Sequence, residues 1–457
     1  MILVKNKRHL LIVMMMASCS YLIPTSNVLA DDNNNDTRPL SDTGKWLTDH
    51  GVQLHLMASE NWLGSLGAGS ITDKRESFTL LTAGADFDLD KMGLIPGGSI
   101  HIMQLWVPFT HNIEYGNQVG SLLAGNPPSY LPKVAHLMRF TYEQKLLDDR
   151  LELEAGKSNP DLNFGLNYCN VYISCINTLL NDTAVMGAVP YAGWGARIGW
   201  NFTPNLKSNI GIWRTYQAYP FTSGWEWGND SNNSGTTLLL ANLNRHITWQ
   251  EEPYPFNWEI LAFHNLKKYD DPYYTVNGTS KVFDTESAVR THTGVSGFYI
   301  TANKTFWRRD GGSDPSNPSP EALSVHGSLA QAMKHYGDQG ITTFADLGVT
   351  WNAPWQSRPQ DSYGVFFRWG RLSDSKQRYL QDEFIAAGGS GWQEPQNEYQ
   401  LGLDASLMLT PEINIQMSGA RTWRLNTYQY AYTASSPRSG YTFWLQLNVM
   451  IDKLLGL

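Results

Sequence analysis

After residue 30 the chain has no uninterrupted apolar run of the roughly eighteen residues that a membrane-crossing helix requires. A transmembrane helix is therefore excluded from everything that follows its leader. Cysteine is scarce, at three in 457 residues. Positive charge is in deficit: the formal net charge is −8 and moves to −11 once three basic leader residues are removed, which argues against nucleic acid or an anionic polyelectrolyte as partner. Neither a Gly-x-Ser-x-Gly elbow nor a His-Glu-x-x-His pair occurs, so no motif recommends a membrane-embedded phospholipase or protease. No residue grouping recommends a cofactor or a metal.

The leader itself is plain. Lys5, Lys7 and Arg8 form a positive n-region, Leu10 to Met16 a short apolar core, and Val28-Leu29-Ala30 a small-residue cleavage site. Residues 1–30 read as a signal peptide, residues 31–45 as an acidic, Asn-rich lead, and residues 46–457 as one large domain. Met16-Ala17-Ser18-Cys19 lacks the Leu of a lipobox, so no lipid anchor is expected. Only Cys169 and Cys175 survive cleavage. In an oxidising compartment two cysteines this close predict a small local disulfide, and no nearby His or third Cys completes a ligand set.

What is abundant is aromatic and glycine content: 17 Trp, 22 Tyr, 17 Phe and 40 Gly. The stretch Asn397 to Met417 shows how these are arranged. Tyr399, Leu401, Leu403, Ala405, Leu407 and Leu409 share one parity and Glu398, Gln400, Gly402, Asp404, Ser406 and Met408 the other. That is the period of a strand. After Thr410-Pro411-Glu412 the alternation resumes with Ile413, Ile415 and Met417, which predicts a hairpin with a very short turn. Each strand has the roughly ten residues of a tilted membrane crossing, longer than the five or six usual in soluble proteins. The fold expected is all-β: a transmembrane antiparallel β-barrel of about sixteen strands. A short N-terminal helix over Asp42 to Gly51 precedes the first strand. Ser223 to Ser234 and Gly311 to Pro320 read as polar loops, of the kind that are long on the extracellular side.

Asp86-Phe87-Asp88-Leu89-Asp90-Lys91-Met92-Gly93 followed by Pro96-Gly97-Gly98-Ser99-Ile100-His101 resembles the opening signature of carbohydrate-selective porins of the OprB family. Phe140 to Gln144, Leu151 to Lys157 with Asn159-Pro160, the cysteine-bearing loop, Pro190 to Arg197 and Gly297 to Arg308 are similar to later segments of that family, in order. The resemblance covers nearly the whole exported chain and implies a pore in the Gram-negative outer membrane that each chain closes by itself. Ser418-Gly419-Ala420-Arg421 departs from the family's Asn-Pro-Gly-Gly and predicts a differently shaped last extracellular loop. The final strand reads Tyr441, Phe443, Leu445, Leu447, Val449 and Ile451 toward lipid.

Parity nominates the pore lining without an alignment. Arg139, Glu143, Arg197, Arg368, Glu398, Asp404, Gln416, Trp444 and Gln446 all oppose apolar neighbours and are expected inside. A charge facing the bilayer midplane would cost about 2–4 kcal/mol. Asp86 and Asp88 share a face and are expected to be solvated or paired with an Arg across the lumen rather than to act as a catalytic pair. Donors and acceptors beside aromatic rings suit a sugar or polyol. The expected function is passive, selective diffusion of mono- or oligosaccharides. A pore for polyols or cyclic hydroxy acids such as quinate is the alternative, and a barrel hydrolase the remote one. Partners are small solutes and outer-membrane lipid, with a homo-oligomer left open.

Overall fold

The computed structural model describes residues 38–125, 135–187, 191–215, 223–225, 235–333 and 336–457. The leader, residues 31–37 of the acidic lead, Val134, Pro190 and residues 226–234 of the first polar stretch lie outside the described residues. Sixteen strands make one closed antiparallel barrel. In chain order they are β1 Val52–Leu66, β2 Arg75–Asp88, β3 Gly98–Thr110, β4 Ala135–Leu146, β5 Leu151–Ser158, β6 Gly193–Thr203, β7 Leu206–Thr215 and β8 Thr236–Arg245. They continue as β9 Phe256–Thr275, β10 Val289–Arg308, β11 Ala322–Ala332, β12 Ile341–Asn352, β13 Ser362–Leu372, β14 Asn397–Thr410, β15 Ile413–Trp423 and β16 Gly440–Met450. Every strand pairs with its chain neighbours, and β1 closes on β16 with Asn61 opposite Gln446. Closure leaves no unpaired edge, the condition for a sheet to stand in hydrocarbon.

Among the described residues four α-helices accompany the strands: α1 Ser41–Asp49, α2 Tyr115–Val119, α3 Asp374–Ala386 and α4 Ile451–Leu455. Helix α1 is the one expected before the first strand, and it seats directly on the end of α4. A Cβ on Gly44 would stand 1.9 Å from the Gly456 carbonyl oxygen, so glycine is what allows this approach. The same end of the barrel carries tight connections such as 147–150, 204–205 and 411–412, while the opposite end carries 111–134, 159–192 and 373–396. By the rule that extracellular loops are the longer set, the second end faces outward.

Alternation decides the outer face. Leu401 and Leu403 are 50% and 64% exposed toward lipid, whereas Glu398, Gln400 and Asp404 on the other parity are buried inside. The inner face departs from expectation. Trp213, Leu238, Leu240, Leu261, Phe263, Tyr299 and Phe344 also point inward, where they bury against Phe164, Leu179, Leu180 and Met186. Part of the lumen is therefore a packed apolar core, built where a loop folds in.

Four further expectations are corrected. Ile451 does not face lipid from the last strand, because β16 ends at Met450 and Ile451 opens α4. Ser418 to Arg421 is no loop: it lies within β15, paired to β14 and β16. Gly311 to Pro320 is a loop, but it joins β10 to β11 at the end that carries α1 and α4. Asp86 pairs with two histidines rather than an Arg, and Asp88 Oδ1 accepts the N–H groups of Asp90 and Lys91 in the following turn.

Candidate functional site

The longest connection, between β5 and β6, does not stay outside the barrel. Two carboxylates on the wall hold it. Glu259 of β9, fully buried, accepts the N–H groups of Gly165 at 3.2 Å and Leu166 at 2.5 Å. Asp404 of β14 accepts Asn170 Nδ2 at 2.7 Å and Ser174 Oγ at 2.5 Å. Between these anchors Asn303 Nδ2 of β10 donates to the Tyr168 carbonyl at 3.2 Å, and Tyr299 OH donates to that of Leu166 at 2.9 Å. Beyond them Asn265 Nδ2 of β9 donates to the carbonyls of Thr183 and Ala184. The segment is thus a strap laid along the wall from β8 to β14, its backbone satisfied by inward side chains. A loop inside a barrel needs such partners, since an orphaned buried N–H costs about 1–3 kcal/mol. Cys169 and Cys175 fall on the strap with their Cα atoms 6.3 Å apart, within the reach of a disulfide.

A second loop is held in the same manner. Glu398 accepts Ser121 Oγ at 2.8 Å and the N–H groups of Leu123 and Ala124 at 3.0 and 3.2 Å. Its carboxylate is therefore engaged by residues 121–124. Trp444 points inward as expected, donates Nε1 to Asn61 Oδ1 at 2.9 Å, and packs beside the cluster of Leu63, Phe78 and Tyr115.

The strap leaves the wall of β4 to β7 facing it, and there the charges gather. Arg197 of β6 contacts Glu154 at 3.0 Å, Glu152 at 2.9 Å and Glu143 at 3.5 Å. Arg139 of β4 reaches the other oxygen of Glu154 at 2.8 Å, and Lys207 of β7 meets Glu152 at 2.5 Å. Glu143 and Glu154 stand directly opposite each other on paired strands, an arrangement that repels unless a cation lies between them. Arg197 is that cation. Asn163 of the strap reaches Glu154 at 3.5 Å, which joins the loop to the ladder. On β1 to β3 the row continues as His55–Asp86–His101, at 2.8 and 2.6 Å.

Arg368, Gln416 and Gln446 lie inward and buried on other strands. Arg368 Nη1 donates to Gln400 Oε1 at 3.4 Å, its guanidinium rests 5.0 Å from the Phe366 ring centre, and its Nε and Nη2 have no hydrogen-bond partner among the described residues. Of the nominated residues, Arg139, Glu143 and Arg197 come together; Glu398 and Asp404 serve as loop anchors; Arg368, Gln416, Gln446 and Trp444 stand apart from the ladder. Glu152, Glu154, Lys207 and Glu259 were not nominated. The first two were legible in the alternation Leu151-Glu152-Leu153-Glu154, while Glu259 shares its inward parity with Leu261 and Phe263 and so gave no clean polar face.

On the strap, burial pushes the Asp161 carboxyl up to about 7, and its Oδ1 has no partner among the described residues. No group of three or more His, Cys, Asp or Glu suited to a metal occurs among the described residues.

Comparison with known proteins matches this architecture. Porin B of Pseudomonas aeruginosa is 24% identical over 180 residues, 38% of this chain, and the match spans only 37% of that protein's length. OprB of Pseudomonas putida, in its high-pH structure, superposes with a TM-score of 0.74 at 15% identity over 89% of this chain and 96% of its own. The low-pH structure of the same protein gives 0.52 at 10% identity over 91% and 97%. At such identities the likeness speaks for the fold. The family model described as "Carbohydrate-selective porin, OprB family" matches residues 76–418. The chain belongs to the OprB family of carbohydrate-selective porins, channel proteins of the Gram-negative outer membrane rather than enzymes.

Proposed function

We propose that neutral hydroxylated solutes, mono- and oligosaccharides first, diffuse passively between the strap and the charged wall of β4 to β7. The observation that carries this reading is the ladder of opposite charges centred on Arg197, with three carboxylates within 3.5 Å of one guanidinium. Its charges largely cancel, so it offers donors and acceptors in alternation without a strong net field for an ion. Arg197 is itself buried and balances the charge of the wall. The more open members of the row, Lys207 and Glu152, would exchange hydrogen bonds with successive hydroxyls as a ring slides past, each contact weak enough to be left again. Residues 166–170 of the strap would form the opposite wall, with Asn167 as a further polar group, while Asn163 bridges strap and ladder at Glu154 beside the passage. Arg368, Gln416 and Gln446 would line the remainder of the route, and each chain would close its own pore.

Proteoliposomes carrying the purified protein test this with glucose, a disaccharide, quinate and an amino acid of similar size. Sugars should enter faster than the amino acid, and Arg197→Ala should lower that ratio more than Arg368→Ala. Faster quinate would move the substrate class to cyclic hydroxy acids. No entry of any solute through a barrel that is folded, judged by heat-modifiable mobility on gels, would refute the reading.

A further inference from the structure

Helix α3 rides on the extracellular end of the barrel with Leu380 and Phe384 buried beneath it. Its other flank borders a cavity of about 440 Å³, shaped by Arg378, Asp382 and Ile385 of the helix and by Trp392 and Gln393 of the returning chain. That volume falls within the roughly 300–1,000 Å³ of small-molecule sites.

The far wall of this cavity is fixed before any ligand arrives. Gln377 Nε2 donates to the Glu394 carbonyl at 2.7 Å, Glu394 N–H donates to Gln381 Oε1 at 2.7 Å, and Gln381 Nε2 donates to the Trp392 carbonyl at 3.4 Å. The Phe384 ring meets the indole of Trp392 at 5.0 Å between centres, inclined by 61°. Two side-chain amides and one aromatic contact thus clamp the returning chain to the helix, and a wall held in this way has little freedom left to lose on binding.

The chemistry of the rim selects the ligand. Arg378 and Asp382 stand one helical turn apart and cancel in charge, which removes the reason for an ion to settle here. Arg378 Nη1 also donates to Tyr274 OH at 3.0 Å, tying the helix to the top of β9. What remains is an indole and the Ile385 side chain, edged by a guanidinium, a carboxylate and the Gln393 amide. An apolar platform with donors and acceptors of both kinds at its edge matches a pyranose ring, whose faces carry C–H groups and whose perimeter carries hydroxyls.

We propose that this groove is an extracellular capture site for a neutral saccharide, with Trp392 as the stacking platform and Arg378, Asp382 and Gln393 holding hydroxyls. The proposal rests on the reading that sugars are what the pore passes. Leu380, on the opposite face of the same helix, belongs to the barrel's inner core, so a sugar held in the groove waits about one helix diameter, roughly 10 Å, from the mouth.

Saturation-transfer NMR titration of the full-length protein in detergent, with maltotriose and quinate as probes, tests this. Trp392→Ala should weaken maltotriose binding about three- to tenfold, the loss expected for one aromatic contact, and Trp392→Phe should restore most of it. Single-channel conductance should not change, while maltotriose entry into proteoliposomes should fall at low sugar concentration only. Unchanged affinity in Trp392→Ala overturns the site, as do quinate binding as tight as maltotriose and a loss of binding matched by an equal change in conductance. Should Trp392→Ala not fold, Arg378→Ala decides on the same affinity criterion. A wild type that passes glucose yet binds no maltotriose refutes the groove alone, whereas one that passes no sugar refutes the pore reading beneath it.

Discussion

Leu166 donates its backbone N–H to Glu259 at 2.5 Å, so a residue of the extracellular connection between β5 and β6 is bound to a fully buried carboxylate on β9, three strands further along the barrel wall. Gly165 donates to the same carboxylate at 3.2 Å, and Asn242 Nδ2 of β8 completes it at 2.6 Å. The strap's position, and with it the clear width of the pore, hangs on groups that never touch a solute.

Replacing Glu259 with Leu would orphan two backbone N–H groups at about 1–3 kcal/mol each. The expected outcome is a strap that leaves the wall: single-channel conductance rises and glucose loses its advantage over an amino acid, while heat-modifiable mobility stays intact. Asp404→Asn should do less, since Asn retains one acceptor oxygen for Asn170 or Ser174. Planar-bilayer recording checks both, and wild-type conductance in a folded Glu259→Leu barrel would count against the anchoring role.

Arg197 serves three carboxylates, and removing it leaves Glu143, Glu152 and Glu154 close together in a buried wall. Breaking a buried pair from one side costs about 3–5 kcal/mol. Arg197→Ala should therefore lower the thermal transition of the barrel in detergent as well as its sugar selectivity. Arg197→Ala combined with Glu154→Gln should recover much of the stability but not the selectivity. Recovery of both would mean that the ladder only holds the wall together.

The barrel was legible because lipid imposes one rule on every strand: the outward parity must be apolar, as Leu401, Leu403, Phe443 and Ile198 show. The lumen obeys no such rule. On β4 to β6 the inward parity is polar, and it is on that parity that Arg139, Glu143 and Arg197 lie, inward and buried. Where the strap fills the lumen the inward parity is apolar too. Leu238-Leu239-Leu240 then reads identically on both faces, and only the tertiary contact with Leu179 and Phe164 tells the sides apart. The same limit hid Glu259. Asp404 and Glu398 were found as inward residues, but what they hold lies more than 200 residues away in the chain, beyond any local pattern.

Cys169 and Cys175 are expected to be oxidised in the exported protein. Thiol labelling under denaturing conditions should add nothing before reduction and two groups after it. A loop this short contributes about 2 kcal/mol of chain-entropy stabilisation, which would act on the strap and not on the barrel. Replacing both cysteines with Ser should leave heat-modifiable mobility alone and increase open-channel noise, because the segment bonded to Asp404 lies inside the closed ring.

Glu394 lies in the connection before β14, where its carboxyl accepts Thr427 N–H at 2.7 Å and Thr427 Oγ1 at 3.1 Å. Burial, reinforced by the neighbouring Glu398 charge, pushes it up to about 8 from an ordinary 4.5. A carboxyl raised on docking favours the docked loops while it is protonated. Its contribution is complete below about 4.5 and is lost as pH rises through about 8. The protection of the Thr427 amide against hydrogen exchange, corrected for intrinsic rate, should therefore fall between about pH 5 and 9 in the wild type. In Glu394→Gln it should stay level across that range, because the amide has no proton to lose. Equal slopes in the two proteins would show that another group sets the pH response of the extracellular loops. Lys376, which burial lowers to about 8, would be the next to replace.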